Sequence, residues 1–324
     1  MVAIKPHLDY AAQITKLKKR GMNFDDLDEK QAIKKLSNVG YYRLSGYWYP
    51  FRTLKIPAPL DKNESRREET FKPNTSFSLI YKHYLFDLKL RHIIFNGIER
   101  VETYLKAKFA YELGKLSPIC YKDKNLIQHH HTKNHDAWLD KLDSYIDRNK
   151  DKDCISWHMT KYGEIPIWAI VEVWDFGLLS KFYGMLEDKY KHQICKSIGF
   201  NNPNSKDVRD GLKTALEHLN IIRNKCAHHS RLWNTDLSSS RISIHVLDNL
   251  DTNKLKLRAD SHELERIAGI VFLLWSLNLR ISDHSKWLED LAEHIESYSK
   301  IVSLSSMGFD NGKLTKLNIL LGKN

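Results

Sequence analysis

Between positions 205 and 229 the chain reads SKDVRDGLKTALEHLNIIRNKCAHH. Its apolar residues Val208, Leu212, Ala215, Leu219, Ile222 and Cys226 are separated by steps of four, three, four, three and four. An α-helix turns once in about 3.6 residues, so this spacing gathers all six on one face and is incompatible with a strand, whose faces alternate every second residue. Ser205 is placed to cap the helix, and Asp207 lies in the first turn, where a carboxylate meets the positive end of the helix dipole. The same spacing recurs along the whole chain, alternating patterns are scarce, and Gly and Pro number only 14 and 8 in 324 residues. The expected fold class is all-α, with a small, mostly helical N-terminal region.

Residues 1–75 read as that N-terminal region and its linker, with helical patterns over 10–20 and 28–36, the aromatic run GYYRLSGYWYPFR at 40–52, and a polar, proline-bearing loop after it. Residues 76–236 read as the helical core. Positions 78–113 can sustain one long helix or a pair, with Leu85, Leu88, Ile93, Ile94, Ile98, Val101 and Leu105 as the apolar stripe. Residues 117–163 read as a surface excursion. Residues 165–186 read as one strongly apolar helix with Pro166 in its first turn. Residues 237–324 read as a C-terminal helical extension packing on the core, with a hairpin-like stretch at 240–247 and helices near 261–280 and 285–301.

A hydrophobic content of 42% is enough for a sizeable core. Lys plus Arg number 51 against 40 acidic residues, a formal charge of +11 that favours polyanionic partners. Cys120, Cys154, Cys195 and Cys226 form no CxxC pair, which argues against a disulfide framework and a four-cysteine zinc site and fits a reducing compartment. The N-terminus lacks a signal-peptide pattern, and the longest apolar run, 267–279, is too short to span a bilayer. A soluble cytoplasmic protein with no membrane association is expected.

The face of the 205–229 helix opposite its apolar stripe carries Asn220, Asn224 and His228 in one i+4 row, with Arg223 at its edge. Arg223 and His228, five residues apart, point about 140° apart on an ideal helix. They can converge on one group only if the helix ends or bends near His228, or if another helix or a second subunit completes the pocket. Histidine is the side chain suited to proton transfer near neutral pH, and arginine binds two phosphate oxygens without losing its charge. Together they supply what RNA cleavage by its own 2′-hydroxyl requires. The same residues also read as a structural helix end, with Arg223 paired to a neighbouring acid and His228 capping the last carbonyls. A zinc site from Cys226, His228 and His229 would need ligands on different faces, and His129, His130, His131 and His135 read either as a metal cluster or as a solvated loop.

RNKCAHHSRLWN closely resembles the RNxxAHHxRLWN signature of the bacterial abortive-infection (Abi) proteins of the AbiD/AbiF type. GYYRLSGYWYPFR, FKPNTSFSLIYKHYLFDLKLR at 71–91, IERVE at 98–102, PIWAIVEVWDFGLLSKFY at 166–183 and MGF at 307–309 resemble the family's other blocks, in the family's order. The resemblance implies a HEPN-like helical bundle whose RxxxxH motif makes a metal-independent endoribonuclease leaving 2′,3′-cyclic phosphate ends, the toxin of a phage-defence or toxin-antitoxin system. By position, Arg223 and His228 would be the catalytic pair, Asn224 the polar residue after the arginine, and Glu99 or Glu102 the acid orienting the site. One RxxxxH copy where such sites use two implies a homodimer or an RNA-assembled complex. The resemblance further implies RNA as substrate, a small non-coding RNA as partner, and no cofactor or metal.

In the aromatic block, Tyr41, Leu44, Trp48 and Phe51 share a helical stripe that reads as core. Tyr42, Arg43, Tyr47, Tyr49 and Arg52 are candidates for stacking on bases and binding phosphates, as are Lys18, Lys19 and Arg20 in KLKKR for backbone contact. His229 and Arg231 are further candidates within the signature, with ion-pairing by Arg231 and burial of Trp233 as the structural alternative. Two other functions fit the same charge and aromatics: an RNA-binding scaffold or sensor with a silent cleft, and a DNA-directed regulator using the N-terminal helices.

Overall fold

The structure is a computed structural model that describes residues 6–61, 64–237, 240–282, 284–309 and 315–322. It is 65% helical, with thirteen α-helices and one two-stranded sheet among the described residues, so the fold is all-α. The chain divides into two compact units, one of residues 1–89 and 297–302, the other of residues 90–296 and 303–324. The division at 89/90 falls inside a long helix.

In the first unit, α1 (Tyr10–Lys19) and α2 (Glu29–Val39) begin at Asp9 and Asp28, whose carboxylates accept the Ala12 and Gln31 amides at 2.7 Å. Each thereby satisfies an amide that the first turn leaves without a helical partner. α3 (Tyr41–Trp48) leads through a 3-10 turn into β1 (Arg52–Leu54), which pairs antiparallel with β2 (Arg67–Phe71). This hairpin flanks and partly replaces the polar surface loop expected after the aromatic run. Thr53 and Thr70, on opposite strands, share a 2.8 Å hydroxyl contact.

Residues 78–113 form one helix, α4 (Phe77–Gly114), begun by Ser76, whose hydroxyl accepts the Leu79 amide at 3.0 Å. The expected stripe is out of phase at its start. Leu85 is 38% exposed, whereas Phe86 and Leu90 are fully buried, and the stripe holds from Ile94 through Ile98, Val101 and Leu105.

In the second unit, the stretch 117–163 is mostly exposed, as a surface excursion would be, but it is structured and anchored by a few buried side chains. It contains α5 (Thr132–Arg148) and α6 (Asp153–Tyr162), and Tyr121, His135, Trp138, Leu142 and Ile155 are buried. Trp138 stacks on Phe182 with centroids 4.8 Å apart and meets Trp174 edge-on at 5.1 Å. The expected single helix at 165–186 is two, α7 (Ile167–Ile170) and α8 (Phe176–Met185), because Asp175 caps the second by accepting the Leu178 amide at 2.6 Å. A capping carboxylate needs an extended backbone at its own position, which interrupts the helix there.

α9 (Asp188–Ile198) leads to α10 (Lys206–Ala227), where Ser205 caps and all six stripe residues are buried, as the spacing requires. The stretch 240–247 forms a 3-10 turn instead of strands. α11 (Ile267–Ile281) is buried along most of its length, followed by α12 (Trp287–Ser297) and the short α13 (Thr315–Leu320). No described helix is long and apolar enough to cross a membrane.

Two consequences are measurable. A Cβ on Gly97 would lie 2.7 Å from the Trp287 indole, whose Nε1 donates to the Ile93 carbonyl at 2.7 Å. Gly97→Ala gains about 1 kcal/mol of helix propensity but incurs overpacking of about 1–3 kcal/mol and loses a hydrogen bond worth about 1 kcal/mol. Urea denaturation should therefore show lower stability, and a rise would contradict the packing.

His83, 1% exposed with Nδ1 2.8 Å from the Leu79 carbonyl, has its pKa held below the usual value by burial. As pH falls below about 6.5 the unfolded chain takes up this proton before the folded one does, so acidification lowers stability. Thermal melts of His83→Gln between neutral pH and pH 5 should show a smaller acid-side loss than wild type.

Candidate functional site

α10 is terminated at the signature itself. The His229 amide donates to the Cys226 carbonyl at 3.1 Å and the Ser230 amide to the Lys225 carbonyl at 2.8 Å, with His229 at φ +56°. This is the Schellman arrangement, with a histidine in the left-handed position that glycine usually takes. His228 becomes the cap residue, its amide bonded to the Asn224 carbonyl at 2.9 Å. Its side chain is exposed and has no hydrogen bond among the described residues, so the imidazole does not cap the carbonyls.

Arg223 borders a cavity of about 240 Å³ whose other walls are Phe95, Glu99, Glu102 and Lys106 of α4 and Glu172 in the turn after α7. Both acids singled out in the sequence thus share a cavity with the arginine. Among the described residues Arg223 nevertheless forms no ion pair, and Glu102 pairs with Lys106 at 3.0 Å. The guanidinium carbon lies 6.0 Å from the Phe95 ring centroid, Nε is buried without a hydrogen-bond partner, and one terminal nitrogen donates to the exposed Asn224 side chain at 3.4 Å. The guanidinium therefore reaches from the cavity to the surface. Three carboxylates against Lys106 and Arg223 leave the cavity one charge negative, so an anion meets the arginine more favourably on its outer, Asn224 side.

His228 is not among the residues lining this cavity. One chain brings Arg223, Asn224, Glu99 and Glu102 together and leaves His228 at the neighbouring helix end. Glu172 and Lys106 escaped the sequence reading. Glu172 had a legible signal, as the one charged residue in the apolar run IPIWAIVEVW. In the rest of the signature, Leu232 and Trp233 are buried, Arg231 is half-buried, and His229 is exposed.

The RNA-contact candidates of the first unit separate. Tyr42 is 92% exposed, and Arg43, Lys18 and Lys19 are exposed. Tyr47 is corrected to core: it is 2% exposed and donates its hydroxyl to Asp87 at 2.6 Å, so it offers no face for stacking. Arg20 is half-buried, ion-paired with Glu69 and donating to the Tyr41 hydroxyl at 3.1 Å, which occupies the group expected to meet phosphate. Arg52 is half-buried, its guanidinium 5.9 Å from the Tyr49 ring centroid. Leu44 and Trp48 are fully buried as expected, while Tyr41 and Phe51 are half-buried.

His135 is also core, 0% exposed with Nε2 2.8 Å from the Tyr121 carbonyl, so it cannot join His129, His130 and His131 in a cluster. Among the described residues no three His, Cys, Asp or Glu side chains are grouped to hold a metal ion.

No curated protein and no solved structure matches the chain. The family described as Abi-like protein matches residues 34–234, more than half the chain, running from the middle of α2 to the last residue of RNKCAHHSRLWN. The chain belongs to the Abi-like protein family.

Proposed function

We propose that this protein is an endoribonuclease toxin of a phage-defence, abortive-infection or toxin-antitoxin system, of the AbiD/AbiF type and HEPN-like, in which Arg223 and His228 act on an RNA phosphodiester. The observation that carries the reading is that, near one helix end, neither side chain is taken up by the structural partner available to it. Arg223 has no ion pair although three carboxylates line its cavity, and the His228 imidazole has no hydrogen bond among the described residues. A structural role would have used one or the other.

The chemistry follows from the groups available. The 2′-oxygen attacks the adjacent phosphorus as its proton passes to an imidazole. The bond to the 5′-oxygen then breaks, that oxygen takes a proton, and a 2′,3′-cyclic phosphate and a 5′-hydroxyl remain. His228 is the proton carrier and Arg223 stabilises the charge developing on the phosphorane oxygens. The reaction needs two proton transfers, and each chain offers one such histidine beside an arginine that faces another way. A homodimer or RNA-held pair of chains, each contributing one RxxxxH half, supplies the second. Glu99, Glu102 and Glu172 hold the arginine by their field without binding it. The formal charge of +11 suits an RNA substrate and a small non-coding RNA partner that restrains the toxin.

The test is cleavage of RNA by purified chain. Arg223→Ala and His228→Ala should each lower the rate by about 10²-fold or more while circular dichroism stays unchanged. Undiminished cleavage in either variant would remove that residue from the chemistry. RNA binding without any cleavage by wild type would favour a silent scaffold or sensor.

A further inference from the structure

A larger pocket, about 640 Å³, lies in the second unit between α5, α8 and α10. Its size is that of sites that enclose a small organic group. The helical period explains how it forms. α5 turns Ala137, Trp138 and Lys141 to one side, α8 supplies Gly177, Lys181 and Gly184, and α10 supplies Lys213, Asn220 and Ile221. The two glycines keep α8 low between its neighbours. A Cβ on Gly184 would lie 3.4 Å from the Lys213 side chain, and one on Gly177 would lie 3.4 Å from Asn220 Oδ1.

The lining combines an apolar wall with cations that have no acid partner. Among the described residues Lys141, Lys181 and Lys213 form no ion pair, and Glu217 is the one acid on the lining. His131, at the pocket edge, has its pKa lowered, first by burial and then by the nearby His130, Lys213 and Lys191 charges. That marks the site as a region of positive potential. Ser180 and Asn220 add hydrogen-bonding groups on its walls.

The pocket is joined to the candidate catalytic arginine along α10. Arg223 donates to Asn224 at 3.4 Å, and Asn224 donates to Asn220 at 3.4 Å. From Asn220 to His228 the helix advances only about 12 Å. A strand whose phosphate lies at Arg223 passes the pocket mouth within its next nucleotides.

We propose that this pocket receives an unpaired nucleotide of the RNA strand beside the cleaved phosphate, its base against the apolar wall and its phosphate between Lys181 and Lys213. A neutral apolar ligand leaves the three lysines unmatched, and a bare anion leaves the apolar wall unused. A nucleotide satisfies both, and single-stranded RNA is read by splaying bases into such sites. The assignment to a strand beside the cleaved bond rests on the ribonuclease reading, while the pocket's preference for a nucleotide does not.

The experiment uses the full chain and a short fluorescein-labelled 2′-O-methyl oligoribonucleotide, which binds but cannot be cut by 2′-hydroxyl attack. Binding is followed by fluorescence anisotropy over a range of salt. The double variant Lys181→Glu/Lys213→Glu should bind at least about tenfold more weakly and lose about 0.7 from the slope of log affinity against log salt, the share of the one phosphate held between them. Ala137→Trp, which fills the wall without changing charge, should weaken binding similarly, and Lys196→Glu, at an exposed position of α9 outside the pocket lining, should not.

Affinity within twofold of wild type in both pocket variants would overturn the proposal. Binding of free uridine or adenosine monophosphate as tight as that of the oligonucleotide would overturn the strand assignment in favour of a soluble nucleotide. The ribonuclease reading is judged separately: if wild type cuts no RNA yet the pocket variants lose oligonucleotide binding, only that reading falls.

Discussion

Burial of one face of α10 is the constraint on which the candidate site depends. Val208, Leu212, Ala215, Leu219, Ile222 and Cys226 are all removed from water, and truncating a buried leucine or isoleucine to alanine typically costs about 2–5 kcal/mol. With six such positions holding the helix in rotation, the polar row opposite has no freedom of phase. Asn220, Asn224 and Arg223 are placed by residues that never touch a substrate. The Schellman closure after Ala227 then stops the helix so that His228 stands at its end and not within it.

The arginine's environment contains an apparent conflict. Glu99, Glu102 and Glu172 line its cavity, yet the guanidinium lies 6.0 Å from the Phe95 ring centroid and leaves a buried Nε without a partner. A buried donor left unpaired costs about 1–3 kcal/mol, a cost that folded proteins tend to retain where a ligand or a reaction uses the group. Full pairing with a carboxylate would recover that energy and neutralise the cation. The observed arrangement keeps the positive charge near acids that orient it while leaving its outer edge open to an anion, which is what a clamp for a transferring phosphate needs.

The sequence revealed most where one physical signal acted alone. The α10 stripe and its Ser205 cap follow from periodicity and capping, and the structure has them, while at 78–113 the periodicity left one helix or a pair open and the structure has one. Competing signals misled. Leu85 is hydrophobic and correctly spaced but lies on the outer side, because the neighbouring Phe86 and Leu90 are the residues packed. Asp175 is a cap embedded in an apolar run, so hydropathy hides the break that it makes. The 117–163 stretch is polar by composition but buries a few large residues, Trp138 and Tyr121 above all, which composition averages away. Among the RNA-contact candidates of the first unit, Tyr47 and Tyr42 look equivalent in sequence, and only tertiary packing sends one to Asp87 and the other to solvent. The lysine pocket joins three helices distant in sequence, and nothing local announces it.

The central claim is that Arg223 and His228 cut RNA through its own 2′-hydroxyl, and the most direct measurement is the chemistry of the product ends. Wild-type chain incubated with a defined RNA in excess EDTA should leave 2′,3′-cyclic phosphate and 5′-hydroxyl termini, and a substrate with a 2′-deoxy group at the cut position should resist cleavage there. Products bearing 5′-phosphate and 3′-hydroxyl ends, or equal cleavage of the 2′-deoxy substrate, would contradict the account.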